Sequence, residues 1–155
     1  MSKGYSAEEV MSLLSAFNGR DNAIIIKLPY LMLLEDYDRE RKGLTEDEHV
    51  PVDYEAAYAL DQLVFWCFRR SNTVHKGWIY KTDEELRRDL RLTQSQVTRV
   101  KKKLSEIGLM SMRAKVNPEN THDGAVTHYR IDWDVFYPRL SNAIRRSGIA
   151  PELDS

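Results

Sequence analysis

The stretch that decides the fold runs from Trp78 to Ile131. It opens with Trp78-Ile79-Tyr80-Lys81, then Thr82-Asp83-Glu84-Glu85-Leu86 and Leu92-Thr93-Gln94-Ser95-Gln96-Val97, and continues through Lys101-Lys102-Lys103-Leu104 and Gly108-Leu109 to Thr127-His128-Tyr129-Arg130-Ile131. The apolar Trp78–Lys81 segment predicts a short strand. Thr82 and Glu85 form a capping box, in which the threonine accepts from the third helical amide and the glutamate accepts from the cap amide in return. This starts a helix to Leu90 with Leu86 and Leu90 inward, and Leu92 plugs the turn that follows. Thr93 and Gln96 form a second box, so Gln94 is the first residue of a helix ending at Ile107-Gly108. Alternation over Leu109–Val116 and a return strand over Val126–Ile131 predict a hairpin, with Asp123-Gly124 as a turn dipeptide between them.

Strand, helix, turn, helix and hairpin, in that order, are the elements of a winged helix-turn-helix, whose second helix is shaped for the DNA major groove. At about 100° per residue, Val97, Val100, Leu104 and Ile107 share one narrow sector of that helix, which must face the core. The opposite sector holds Ser95, Thr98, Arg99 and Lys102, with Gln94 and Lys101 on one flank and Lys103 on the other. Gln94, Ser95, Thr98 and Arg99 lie near the helix N-terminus and are the candidates for reading bases. Glutamine pairs bidentately with adenine and arginine with guanine. Gln96 sits at the core edge and is assigned to the cap. Lys81, Arg87, Arg91, Lys101, Lys102, Lys103, Arg113, Lys115 and Arg130 are candidates for phosphate contacts, which fix position without reading sequence. The hairpin tip, Asn117–Gly124, has two acids and no lysine or arginine. Backbone contact from the hairpin is therefore expected at its base, from Arg113, Lys115 and Arg130.

Charge is unevenly distributed. The chain of 155 residues has a net charge of −1. Between Arg69 and Val116, however, thirteen basic residues accompany five acids, a local +8, whereas Glu35–Asp61 carries ten acids against Arg39, Arg41 and Lys42. Such segregation predicts a positive surface on an otherwise acidic protein, suited to phosphates. A composition of 42% hydrophobic and 30% charged residues suits a globular domain with a substantial core. No apolar run approaches the roughly 18 residues that span a bilayer, and no secretory signal opens the chain. The single cysteine, Cys67, lies in the apolar run Leu63–Phe68 and reads as a small core residue. A cytoplasmic setting is expected. His49, His75, His122 and His128 are scattered without metal-ligand spacing, and no glycine-rich phosphate loop occurs, so no catalytic residue, metal or cofactor is expected. A nicking enzyme needs a histidine pair flanking a hydrophobic residue, and the chain has none.

Outside this stretch, Ser6 and Glu9 form a third capping box, starting an amphipathic helix over about 7–17 with Val10, Leu13, Leu14 and Phe17 on one side and Gly19 as stop. Ala23–Leu28 reads as a strand or an extended packing segment. Pro29 suits the first turn of a second helix stopping near Gly43, and Thr45–Val52 is an acidic linker loop. Asp53 caps a long helix to about Arg70 whose apolar positions spread beyond one stripe, which predicts burial on most sides. Asp132 or Asp134 caps a closing helix through Val135, Phe136, Leu140 and Ile144. The expected class is α+β, mainly α: a winged helix over 51–146, an N-terminal helical extension over 1–50 and a flexible tail over 147–155.

These residues resemble the winged-helix domains of phage and plasmid replication proteins of the replisome-organiser and initiator type. The likeness spans about Asp53–Leu140. It rests on Leu63-Val64-Phe65-Trp66, Gly77-Trp78-Ile79-Tyr80-Lys81-Thr82, Glu85-Leu86, Leu92-Thr93, Val97-Thr98-Arg99, Leu104, Gly108-Leu109 and His128-Tyr129-Arg130-Ile131-Asp132. The resemblance implies that the helix matching Thr93–Ile107 binds origin or operator DNA. Organisers of that type usually carry a further C-terminal domain for helicase loading, which this sequence does not include. A dimeric transcriptional regulator at an operator is therefore a close alternative, and a protein-interaction module using the acidic Glu35–Asp61 surface is a third. Double-stranded DNA is the expected partner, bound as a homodimer on repeated half-sites because one such module buries little surface. No membrane partner is expected.

Overall fold

The three sequence-predicted capping boxes all form. In each, the threonine or serine oxygen accepts from the third amide of the helix, and the glutamate or glutamine accepts from the cap amide: Ser6–Glu9, Thr82–Glu85 and Thr93–Gln96. They start three of the six helices in the computed structural model, which describes residues 4–16, 24–70, 76–116 and 125–148. The chain order is α1 (Ala7–Ser15), α2 (Leu28–Lys42), α3 (Tyr54–Arg69), β1 (Ile79–Tyr80), α4 (Asp83–Leu90), α5 (Gln94–Ile107), β2 (Met110–Val116), β3 (Ala125–Ile131) and α6 (Trp133–Ser147). The architecture is mainly helical α+β, with one antiparallel sheet in the order β1-β3-β2. No helix among the described residues is long and apolar enough to cross a membrane.

The register follows the pleat. Met110 pairs with Ile131, Met112 with Tyr129, Arg113 with His128, and Ile79 of β1 with Tyr129 from the other side. Because side chains alternate along a strand, Ile79, Met110, Tyr129 and Ile131 share the core face, where all four are buried. Val97, Val100, Leu104 and Ile107 of α5 enter the same core with Leu86 and Leu90 of α4, as their phase predicts. Each such aliphatic side chain contributes about 1.5–3 kcal/mol by leaving water. The turn between α4 and α5 is closed by Arg91 in the left-handed conformation (φ 55°), a position that glycine usually takes.

The N-terminal half joins this core. Tyr30, Leu33 and Leu34 of α2 are buried in one cluster with α3 and with Phe136 of α6, and the Tyr30 and Phe136 rings lie 6.0 Å apart. Burial pushes the Tyr30 hydroxyl up to about 12, with Asp61 adding to the effect. Ion pairs from Arg139 to Glu40 (3.0 Å) and from Arg146 to Asp36 tie α6 to α2. Gly43 ends α2 in the left-handed region, as expected. Asp132 caps α6, which continues through Pro138.

Several expectations need correction. Of the two readings of Ala23–Leu28, the extended segment holds over Ile24–Lys27, which forms no strand and leads into α2; the helix already begins at Leu28. The first helix stops at Ser15, short of the expected 17, and Phe17 and Gly19 lie outside the described residues. Ser147, assigned to the tail, is the last residue of α6, with Gly148 as its left-handed cap, and 149–155 lie outside the described residues. Helix α3 is buried on most sides, as expected, packed between α2 on one side and α4, α5 and β3 on the other. Its alanine-rich face with Leu60, Leu63 and Cys67 is buried, but Tyr54, Phe65 and Phe68 are exposed. Part of its apolar spread thus puts aromatic rings on the surface.

Candidate nucleic-acid interface

The outward row of α5 is built by its own phase. Once Val97, Val100, Leu104 and Ile107 are buried, Ser95, Thr98 and Lys102 must face away, and all three are exposed. The Thr93 cap sets the start of this row, with its hydroxyl 3.2 Å from that of Ser95. Gln96, assigned to the cap, accepts from the Thr93 amide at 2.8 Å and donates to Glu55 Oε1 at 2.7 Å. Arg87 on α4 and Arg91 in the turn are exposed near this end of the helix. Two or three hydroxyls and a lysine ammonium along one open helix face can hydrogen-bond base edges and neutralise phosphates.

The flanks of α5 differ from its outward row. Lys102 keeps 76% of its side chain in solvent, whereas Lys103, its neighbour, keeps 16%. Lys103 donates to Asp38 at 3.0 Å and to Asp53 at 2.8 Å. Arg99 grips both oxygens of Asp53, at 2.9 and 3.0 Å, and Glu55 at 2.6 Å. Burial pushes the Asp53 carboxyl up. Hydrogen bonds from Arg99, Lys103 and the Ala56 amide outweigh it and hold the group well below the ordinary carboxylate range. The bond to Asp53, followed by the one to Glu55, raises Arg99 further above its usual range against partial burial. On the other flank, Asp83 accepts from Gln94 at 2.9 Å and from Lys101 at 2.9 Å, which lowers its pKa, with the Lys101 bond leading. Lys101 also lies 5.3 Å from the Tyr129 ring centroid.

The positive surface expected from the local +8 is therefore narrower than the sequence suggests. Acids of the Glu35–Asp61 segment fold onto the cations of α5, so segregation along the chain becomes pairing in space. Of the four base-reading candidates, Ser95 and Thr98 lie in the open row, Gln94 is bonded to Asp83 and Thr98, and Arg99 is held in the carboxylate clamp. Lys81, a phosphate candidate, is a structural pin: it meets Asp89 at 2.5 Å and lies 4.0 Å over the Trp66 ring.

The hairpin-base candidates form a second group. Arg113 pairs with His128, which places Arg130 on the same sheet face two positions along. Trp78 lies between them, with the Arg113 guanidinium 3.8 Å and the Arg130 guanidinium 4.6 Å from its ring. Met112, of opposite parity, lines a shallow groove with Thr98, Lys101 and Lys102 of α5. Arg113 and Arg130 thus occupy the sheet face turned away from α5, and the two candidate groups do not form one surface. The Lys115 side chain and the acidic tip at 117–124 lie outside the described residues.

Sequence reasoning identified Asp53 only as a cap and missed Asp38, Glu55 and Trp78. No local signal links Asp53 to Arg99, 46 residues away. Trp78 was detectable in principle, because the pleat alternation puts it on the same side as Arg130. Cys67 is buried as expected, with Sγ 3.8 Å from the Tyr129 carbonyl. Burial pushes its thiol up to about 11, which makes it unreactive. Comparisons with protein-family models, curated proteins and solved structures find no match, so the site rests on the chain's own residues.

Proposed function

We propose that the chain is a winged helix-turn-helix protein that binds double-stranded DNA sequence-specifically, with α5 as its recognition helix, and that it acts as a homodimer in the manner of a replication initiator of a mobile element. The observation that carries this reading is the open row Ser95, Thr98 and Lys102 on a helix whose opposite row is wholly core. Ser95 and Thr98 face the bases, with Gln94 beside them. Lys102, Arg87 and Arg91 meet phosphates. Arg99 reaches a base only by exchanging its carboxylate partners for DNA. The initiator role, as against an operator-binding repressor, follows from the resemblance.

A second reading, a winged helix that binds protein, is favoured by the clamp itself, since Asp53, Glu55 and Asp38 already neutralise Arg99 and Lys103. Selection from random duplex DNA followed by sequencing separates the readings. Tandem repeats beside AT-rich sequence support an initiator, and an isolated palindrome supports a regulator. No enrichment, together with no duplex binding at low salt, overturns the DNA reading.

A further inference from the structure

Two arginines outside α5 are ordered without any carboxylate. The Arg113 and Arg130 guanidiniums lie 3.8 and 4.6 Å from the Trp78 ring, whereas Arg99 and Lys103 are fixed by Asp53. Among the described residues neither Arg113 nor Arg130 has an ion-pair partner, and Arg113 Nε is buried with no hydrogen-bond acceptor. A guanidinium stacked on a ring is held through its plane, so its charge is not neutralised. Arg130 is also exposed, and it lines a cleft of about 460 Å³. Lys76 and Ser111 line the cleft too, as do Asp132, Trp133 and Asp134 at the start of α6. Its cations thus belong to the sheet and the residues just before it, and its carboxylates and indole to the helix.

We infer that this cleft, with the Trp78–arginine stack beside it, binds a single-stranded nucleic acid. Three observations select that ligand. Arg113, Arg130 and Lys76 supply charge and donors for a phosphate backbone. The cleft also holds two carboxylates: Asp134 is exposed, and Asp132 accepts from the Asp134 amide at 3.1 Å through one oxygen only. Such acids repel the unbroken phosphate rows of a duplex, but they accept from the ring and amino N–H groups that an unpaired base presents. Flat groups complete the site. The Trp133 indole and the Arg130 guanidinium offer planes for a base face, which a duplex keeps inside its own stack. The placement agrees, because the parity of β2 and β3 turns Arg113 and Arg130 away from α5. A strand held there does not compete with a duplex on α5, and the inference stands apart from the reading of that helix.

Fluorescence anisotropy of the full chain tests it at about 50 mM salt. The probes are labelled DNA and RNA strands of about 20 nucleotides without self-complementarity, and a DNA duplex of the same sequence. The wild type is expected to bind a strand, and the DNA and RNA arms distinguish which sugar it takes. Arg130→Gln is expected to weaken the strand about tenfold, through one lost phosphate contact and one lost stacking plane, with duplex affinity unchanged. Lys76→Gln should act in the same direction by about threefold. Both side chains are exposed, so far-ultraviolet circular dichroism should not change. Lys102→Ala should do the converse, weakening the duplex and sparing the strand. No strand binding by the wild type overturns the inference, as does strand binding that Arg130→Gln leaves intact. Equal loss of strand and duplex in Arg130→Gln also overturns it, because the face would then belong to a duplex contact. Loss of the strand in Lys102→Ala overturns it as well, by moving the strand to α5. A chain that binds the strand but no duplex keeps this inference and sinks the reading of α5, so the two failures give different results.

Discussion

Lys102 and Lys103 are adjacent, identical in chemistry and on the same helix, yet their surroundings differ. Lys102 projects from the open row of α5 into solvent, with Glu106 at 4.0 Å as a loose partner. Lys103 lies between Asp38 and Asp53 with little exposure. Thr98 and Arg99 repeat the contrast one turn earlier. The open row and the clamped flank are thus two regions of one helix, the first available to a ligand and the second holding α5 against α2 and α3. A basic run in a sequence gives the supply of cations. Tertiary pairing decides which of them a phosphate can reach.

The most severe way to break the contrast is to remove the acid at its centre. Asp53→Ala removes the α3 cap, worth about 1 kcal/mol, and strands Arg99 and Lys103 without their shared partner. We expect a stability loss of about 2–3 kcal/mol in urea unfolding, and a loss below about 0.5 kcal/mol, the usual size of a surface effect, would mean that the clamp is solvated. Its pH dependence has a definite sign. The folded pKa of Asp53 lies below its ordinary 3.8, so its stabilisation is fully present above that value and fades as pH falls through the folded pKa. The stability gap between wild type and Asp53→Asn should therefore shrink only below about pH 4. A gap that closes near neutral pH would contradict the assignment.

Next in size is the division between Thr98 and Arg99. Thr98→Ala is expected to weaken the preferred site by about 1–2 kcal/mol while leaving random duplex nearly unchanged. Arg99→Ala should cost fold stability and weaken preferred and random duplexes alike. If Arg99→Ala instead relaxes base preference, DNA displaces the carboxylates and the flank belongs to the reading surface. Arg91→Gly relieves a left-handed non-glycine residue and should raise stability by about 1 kcal/mol while weakening DNA binding. If both fall together, the turn conformation is wrong. The smallest effect is that of Lys102→Ala, which should weaken all duplexes similarly and lower the salt slope by about one.

Local chemistry was legible in the sequence. The capping boxes at Ser6, Thr82 and Thr93, the left-handed stops at Gly43 and Gly108, and the inward row of α5 depend on neighbours a few residues apart, and the structure follows them. What failed depended on distance. That Asp53 would clamp Arg99, and that Asp38 would reach Lys103 across 65 residues, is not encoded in any window of periodicity. The hydrophobic spread of α3 was visible, but which aromatics would be left outside depends on how α2, α4, α5 and β3 pack against it. Arg113 and Arg130 were expected to support α5 from the hairpin base, because the hairpin tip is acidic. The strand parity that puts them on the far face becomes decisive only once the sheet's inner side is known.

The central claim is that α5 presents an open row to duplex DNA. Fluorescence anisotropy with the duplex enriched by selection, titrated from 50 to 200 mM salt, tests it most directly. A steep loss of affinity is expected over that range, about tenfold or more for a few phosphate contacts, and a shallower slope for Lys102→Ala. Binding that ignores salt, or an unaltered slope in Lys102→Ala, would contradict it.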